Sequence, residues 1–251
     1  LLTRLSALGD IVHTWPLAEA AAAAGHQLAW VVEEPFAPLV ATHPAVARPV
    51  VVATKRWRRR PASRSTRDEI RAALAKISSF APEAALDPQG LWKSAAWAAL
   101  AGVPRRVGLA RAARRERLCG LLYTEVVEPP HGAHVSDVNL SLLAALAVAA
   151  PAGPRPDGSF LVAGSAPPGW LATGTVSLLP ATGGRGKAWS PHAYARLAER
   201  LARAGRRIMI LWGPAEEELA RTIAAEAGSG VEVAPPTSLA ELSAALRHSK
   251  V

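Results

Sequence analysis

Four short segments hold residue types able to do chemistry. In Ser6-Ala-Leu-Gly-Asp-Ile-Val-His-Thr14, Asp10 stands at the start of a helical pattern just after a β-prone run. A helix N-terminus favours an ionised carboxylate, and such a group facing a cleft can take a proton from a hydroxyl as general base. An aspartate that only satisfies backbone N–H groups would sit in the same place. The segment Lys55-Arg-Trp-Arg-Arg-Arg60, continued by Arg64, Arg67 and Arg71, sets eight basic residues against Asp68 and Glu69. Guanidinium groups grip phosphate and carboxylate through charge-assisted bonds. A polyanionic acceptor, a nucleic acid with Trp57 stacked on a base, and a plain solvated loop all remain open on composition.

The other two segments lie in the second half. Pro180-Ala-Thr-Gly-Gly-Arg-Gly-Lys187 is a Gly-rich loop after a strand, able to wrap phosphate with backbone N–H groups or to serve as a flexible turn. Its spacing is not that of a Walker loop, and no G-x-G-x-x-G stands at the first strand–helix turn. In Trp212-Gly-Pro-Ala-Glu-Glu-Glu218 an acidic residue at a strand end can bind a ribose, or merely complement a helix dipole.

These segments need elements to hold them, and the pattern is one of alternating strands and helices, an α/β protein with parallel sheets. Strands are predicted at 1–5, 28–32, 50–53 and 84–87. Helices are predicted from Asp10 to Ala24, with Pro16 forcing a kink or early break, and near Asp68–Lys76. The turn-rich stretch 151–158 marks a linker. Beyond it come strands at 176–179, 208–211 and 231–233, and helices from Ser190-Pro191 to Gly205, over Pro214–Ala227, and after the Ser238-x-x-Glu241 capping box. The division is therefore 1–150, a linker 151–170, and 171–251, with a ligand cleft expected between two open α/β domains.

The 251 residues carry a net charge of +9, largely from arginine, which implies an acidic partner: nucleic acid, an anionic membrane surface or a phosphorylated substrate. The single cysteine, Cys119, has no partner for a disulfide or thiolate cluster, which favours a reducing compartment. No run approaches the ~18 apolar residues of a membrane span, and Arg4 and Asp10 interrupt any signal-peptide core. Opening without Met inside a strand, the chain is expected to lack a few residues in front.

In this order the segments resemble the ADP-heptose:lipopolysaccharide heptosyltransferases, most closely type I, over the whole chain. The Ser6–Thr14 segment is similar to the family's S-x-x-G-D-[VI]-[VL]-H-T. Val31-Val-Glu-Glu34, Lys55-Arg-Trp-Arg-Arg59, Asp87-Pro-Gln-Gly-Leu-Trp-Lys-Ser94, Arg114-Arg-Glu116, Tyr123-Thr124 and His134-Val135 resemble the type I enzyme. The resemblance implies a GT-B fold, two Rossmann-like parallel-sheet domains facing a cleft, with the second cut short here. It implies inverting transfer of L-glycero-D-manno-heptose from ADP-heptose to Kdo of Kdo2-lipid A, without a metal, by a cytoplasmic enzyme peripheral at the inner membrane.

By position, Asp10 becomes the general base, and Lys55, Arg56, Arg58, Arg59 and Arg115 hold the acceptor. Thr182, Gly183 and Lys187 meet the donor diphosphate, with Gly183 where the family usually has a second Thr; Glu216 meets the ribose and Thr237 the adenine. The family continues past this point with Asp-Thr-Gly-x-x-His, so these 251 residues alone are expected to be inactive or nearly so, and the full-length protein active. A transferase adding a later heptose, and a nucleic-acid-binding protein using residues 55–71, are the alternatives.

Overall fold

A computed structural model describes residues 1–153, 156–162, 166–181 and 188–250. They form two compact units, Leu1–Phe160 and Leu161–Val251. The first is built on six strands: β1 (Leu2–Thr3), β2 (Ala29–Glu33), β3 (Arg48–Val52), β4 (Ala84–Asp87), β5 (Arg105–Leu109) and β6 (Glu125–Val127). Every pairing is parallel, in the order β3-β2-β1-β4-β5-β6. Parallel strands need crossovers that cover both faces, which is why Ala29-Trp-Val-Val-Glu33 is buried along its whole length. The edge strand β3 carries Pro49, in register with Trp30.

The crossovers hold α1 (Leu8–Val12), α2 (Trp15–Ala23), α3 (Ala37–Ala41), α4 (Thr54–Trp57), α5 (Arg64–Phe80), α6 (Trp92–Leu100) and α7 (Val135–Leu140). The single helix predicted from Asp10 to Ala24 is thus two. His13 and Thr14 separate them, and Pro16 sits in the first turn of α2, where its missing N–H breaks no helical bond. One core cluster joins Leu5, just past β1, with Val31 of β2, Val50 of β3, Trp57 of α4, Ile77 of α5 and Trp97 of α6. Phe160, within the stretch predicted as linker, packs edge-on to Trp15 and His43 with ring centroids 5.0 and 4.6 Å away.

The second unit has β7 (Val176–Leu178), β8 (Ile208–Ile210) and β9 (Val231–Val233), parallel in that order. A parallel bridge also sets Lys250 beside Val176. Helices α8 (Pro191–Arg203), α9 (Glu217–Ala227) and α10 (Leu239–His248) follow the strands. Ser190 and Ser238 cap α8 and α10 by accepting from Ala193 N and Glu241 N. The helix predicted from Pro214 starts instead at Glu217. Ala215 adopts φ +70°, a left-handed turn that a right-handed helix cannot include.

Candidate active site

Six parallel strands send six loops out at one edge of the sheet, the usual place for a ligand in such folds. Arg4 leaves β1 directly into that edge. Its guanidinium, only 7% exposed, donates to Pro88 O at 2.7 Å and lies 3.0 Å from Asp10 Oδ1. Burial lowers the Arg4 pKa, and Asp10 acts against that shift. Asp10 is the third residue of α1 and reaches back to accept from Ala7 N–H at 3.3 Å. It therefore does serve the helix terminus, as the plainer of its two roles required. Its side chain still remains 31% exposed, with a buried cation fixing its direction.

The loop after β4 locks this arrangement. Asp87 Oδ1 accepts from Gln89 N (2.8 Å) and Gly90 N (3.2 Å), while Oδ2 accepts from the Ser94 hydroxyl (2.8 Å) and the Tyr123 hydroxyl (2.9 Å). Burial nevertheless pushes the Asp87 carboxyl up to about 6, the four donors pulling the other way. Burial, and then Asp87, raises Tyr123, so its hydroxyl keeps the proton it donates. Gln89 Oε1 takes the Leu5 N–H at 2.8 Å, and Gly90 O takes that of Glu116 at 3.1 Å. Residues 87–94 thereby tie the Asp10 loop to the segment after β5.

The basic segment divides. Arg56 donates to both Glu69 oxygens, at 2.9 and 2.7 Å, and meets Glu34 at 3.4 Å. Its bonds to Glu69 and Glu34 raise Arg56, and Arg56 with the Trp57 indole N–H depresses Glu69 to about 2. Glu33, at the end of β2, accepts from the Thr54 N–H at 3.1 Å and from its hydroxyl. These acids anchor α4, so Arg56 is engaged within the protein. Lys55, Arg58 and Arg59 are exposed and make no ion pair among the described residues. Trp57, the base-stacking candidate of the nucleic-acid alternative, is 6% exposed and packs on Trp97, which removes it from that role. Arg115 is exposed and close enough to act electrostatically on Arg4.

Beside Asp10 the structure adds residues that spacing alone does not mark. His13 Nδ1 lies 3.2 Å from Ser136 Oγ, its ring meets His134 edge-on at 5.0 Å, and its carbonyl accepts from Asn139 at 2.9 Å. The sequence signals were His13-Thr14 closing the Asp10 segment and His134-Val135 in the resemblance; Ser136 and Asn139 had none. Arg4 gave no signal at all, and the Asp87 and Tyr123 segments were marked only by resemblance, with nothing to say that the two side chains meet across 36 residues of chain.

In the second unit, Thr182, Gly183 and Lys187 lie outside the described residues. Glu216 immediately precedes α9, and its Oε2 accepts from Gly213 N–H at 2.8 Å, so one oxygen is committed to its own loop. Thr237 is half-buried before α10. Glu216 and Thr237 follow β8 and β9 at the same edge of their sheet, and Trp212 Nε1 donates to Ala234 O at 2.7 Å to join the two loops. Among the described residues no group of three His, Cys, Asp or Glu side chains is placed to hold a metal ion.

A profile of Glycosyltransferase family 9 (heptosyltransferase) matches residues 76–251. Lipopolysaccharide heptosyltransferase 1 of Pseudomonas aeruginosa is 34% identical, over all of this chain and 71% of its own length. The enzyme of that name from Escherichia coli K12 is 32% identical, over all of this chain and 79% of its own. Among solved structures, E. coli heptosyltransferase WaaC with ADP superposes with a TM-score of 0.85 at 30% identity, covering 99% of this chain and 78% of that one. The WaaC complex with ADP-2-deoxy-2-fluoro heptose gives 0.82 at 29% identity, over 99% and 80%. E. coli ADP-heptose lps heptosyltransferase II, at 17% identity and a TM-score of 0.70, shares the fold.

Proposed function

The chain belongs to glycosyltransferase family 9, the heptosyltransferases, and from that premise we propose that it adds the first heptose of the lipopolysaccharide inner core. The donor is ADP-L-glycero-D-manno-heptose and the acceptor a Kdo sugar of Kdo2-lipid A. The fold is GT-B. In a single inverting displacement, the acceptor oxygen bonds to the anomeric carbon as the bond from that carbon to the ADP oxygen breaks. Asp10 takes the proton that the acceptor hydroxyl gives up.

The observation that carries this reading is Asp10 held by buried Arg4 at the loop-bearing edge of the first sheet. Each Asp10 oxygen has one partner, Oδ1 the Arg4 guanidinium and Oδ2 the Ala7 N–H, and a part-exposed carboxylate so held can present its remaining lone pairs to a hydroxyl. Lys55, Arg58, Arg59 and Arg115 supply cations for the acceptor's carboxylates and phosphates, Arg56 contributing chiefly by bracing α4 on Glu69. On the donor side we assign Lys187, Thr182 and Gly183 to the diphosphate, Glu216 to the ribose and Thr237 to the adenine. Work on a lipid-anchored acceptor places the enzyme peripherally at the cytoplasmic face of the inner membrane.

Asp10→Asn keeps the side chain's size and removes its basicity. In the full-length protein, assayed for heptosyl transfer to Kdo2-lipid A, it should lower kcat by ~10²–10⁴-fold, the usual weight of a general base, with little change in donor KM. Unchanged turnover would remove Asp10 from the role. Running a heptosylated core beside Kdo2-lipid A separates the first heptose from a later one.

A further inference from the structure

The same sheet edge carries an apolar feature that the transfer reaction does not use. After β5 the chain forms a 3₁₀ helix, Arg117–Leu122, in which Leu118 and Leu121 are 71% and 77% exposed. Residues three apart eclipse one another in a 3₁₀ helix, so these two leucines project from one side while Cys119 is buried beneath. Trp92, the first residue of α6, is 49% exposed. Its backbone N–H donates to Glu116 Oε2 at 2.6 Å, which fastens the start of α6 beside the 3₁₀ helix. Around them stand Lys93, Arg111, Arg115 and Arg117, all exposed, against the one acid Glu116.

We propose that Trp92, Leu118 and Leu121, with Lys93, Arg111 and Arg117 beside them, form a docking surface for an anionic lipid bilayer. Exposed apolar side chains in a cationic surround match an interface whose acyl boundary lies just beneath phosphate headgroups. Tryptophan is suited to that depth by its apolar ring and polar N–H. The charge argues for lipid over a second copy of this chain, which would bring the same cations face to face. The patch is built from the loops after β4 and β5, and Gly90 O accepting from Glu116 N joins those loops to the network that holds Asp10. Docking there sets the loop edge of the first sheet against the bilayer, and it rests on the reading of the acceptor as a membrane lipid.

The test is flotation with phosphatidylethanolamine–phosphatidylglycerol vesicles, with phosphatidylcholine vesicles as the neutral control. The wild-type protein should float with the anionic vesicles only. L118S/L121S should lower its partition by ~10-fold or more through lost apolar burial. K93E/R117E leaves the apolar residues in place and should lower partition ~5-fold or more for each charge removed. Vesicles should also blue-shift the tryptophan emission of the wild type, and Trp92→Phe should lose that change. Wild-type partition in both double variants would overturn the proposal. So would a wild-type dimer that L118S/L121S dissociates, since the surface would then join two copies. Transfer assays on the full-length protein separate this claim from the assigned function. L118S/L121S should lose activity on vesicle-embedded acceptor and match the wild type on a deacylated, water-soluble one. Absence of wild-type transfer to either acceptor would instead remove the proposed reaction, whatever the vesicles show.

Discussion

Asp87 acts on Asp10 only through the loop that it holds in place. Its carboxylate collects four donors from the loop after β4 and from Tyr123, yet it is buried deeply enough to hold its proton up to about 6 rather than the ordinary 3.8. Between roughly pH 4 and 6 the folded protein therefore keeps a proton that the unfolded chain has released. Stability contributed at this site must fall as pH rises through that window, by on the order of 3 kcal/mol. Urea unfolding of the wild type and of Asp87→Asn at intervals from pH 4 to 8 reads this directly. The difference between the two should slope only across that window, and a flat difference would refute the assignment. Arg4 is the opposite case. Both of its terminal nitrogens are used, on Pro88 and Asp10, while its Nε is buried without a partner. A cation so placed is costly to bury, and at this position its return is the fixed direction of Asp10.

At the scale of elements, the critical packing is that of Tyr123 over β5. A Cβ on Gly108 would stand 2.1 Å from the Tyr123 ring, a clash that only movement of the ring can relieve. Gly108→Ala should therefore push Tyr123 off Asp87 and lower stability by about 1–3 kcal/mol, the usual effect of overpacking. Thermal unfolding of Gly108→Ala and Tyr123→Phe measures it, and an unchanged Tm in Gly108→Ala would contradict the geometry. Strand β5 also shows why parts of the fold were hard to read. Arg105-Arg-Val-Gly-Leu109 opens on two arginines and includes a glycine, so nothing in its composition announces a central strand. By contrast β2, β4 and β9 are legible because their side chains match their burial, and Ser190-Pro191 and Ser238-x-x-Glu241 because capping is local chemistry. The site was legible to the same degree. Asp10 and the exposed cations lie in contiguous segments, whereas Arg4, Asp87 and Tyr123 meet only once β1, β4 and β5 are side by side. Arg56 misleads for a related reason, since Glu69 is thirteen positions away and comes beside it only through the turn between α4 and α5.

For the whole molecule the dominant quantity is charge. A net +9 over 251 residues attracts anions at long range, and that attraction is screened over about 10 Å at 0.1 M salt. The KM for a multiply phosphorylated acceptor should consequently rise steeply with sodium chloride between 50 and 400 mM, with kcat nearly constant. Equal KM values across that range would mean that charge does not recruit the acceptor. The same molecule must also avoid gathering copies of itself, and here Pro49 has a bearing beyond its register with Trp30. Arg48 N–H turns inward to the β2 side, onto Leu28 O, so the alternation of the strand sends the next position outward. Proline there has no N–H to offer. A foreign strand arriving at β3 meets a hydrogen-bond ladder with a rung missing, and one arriving at β6 finds three residues before Pro129 and Pro130. Growth of the first sheet is hindered at both edges, so a cationic surface can attract anions without those strands becoming templates for one another.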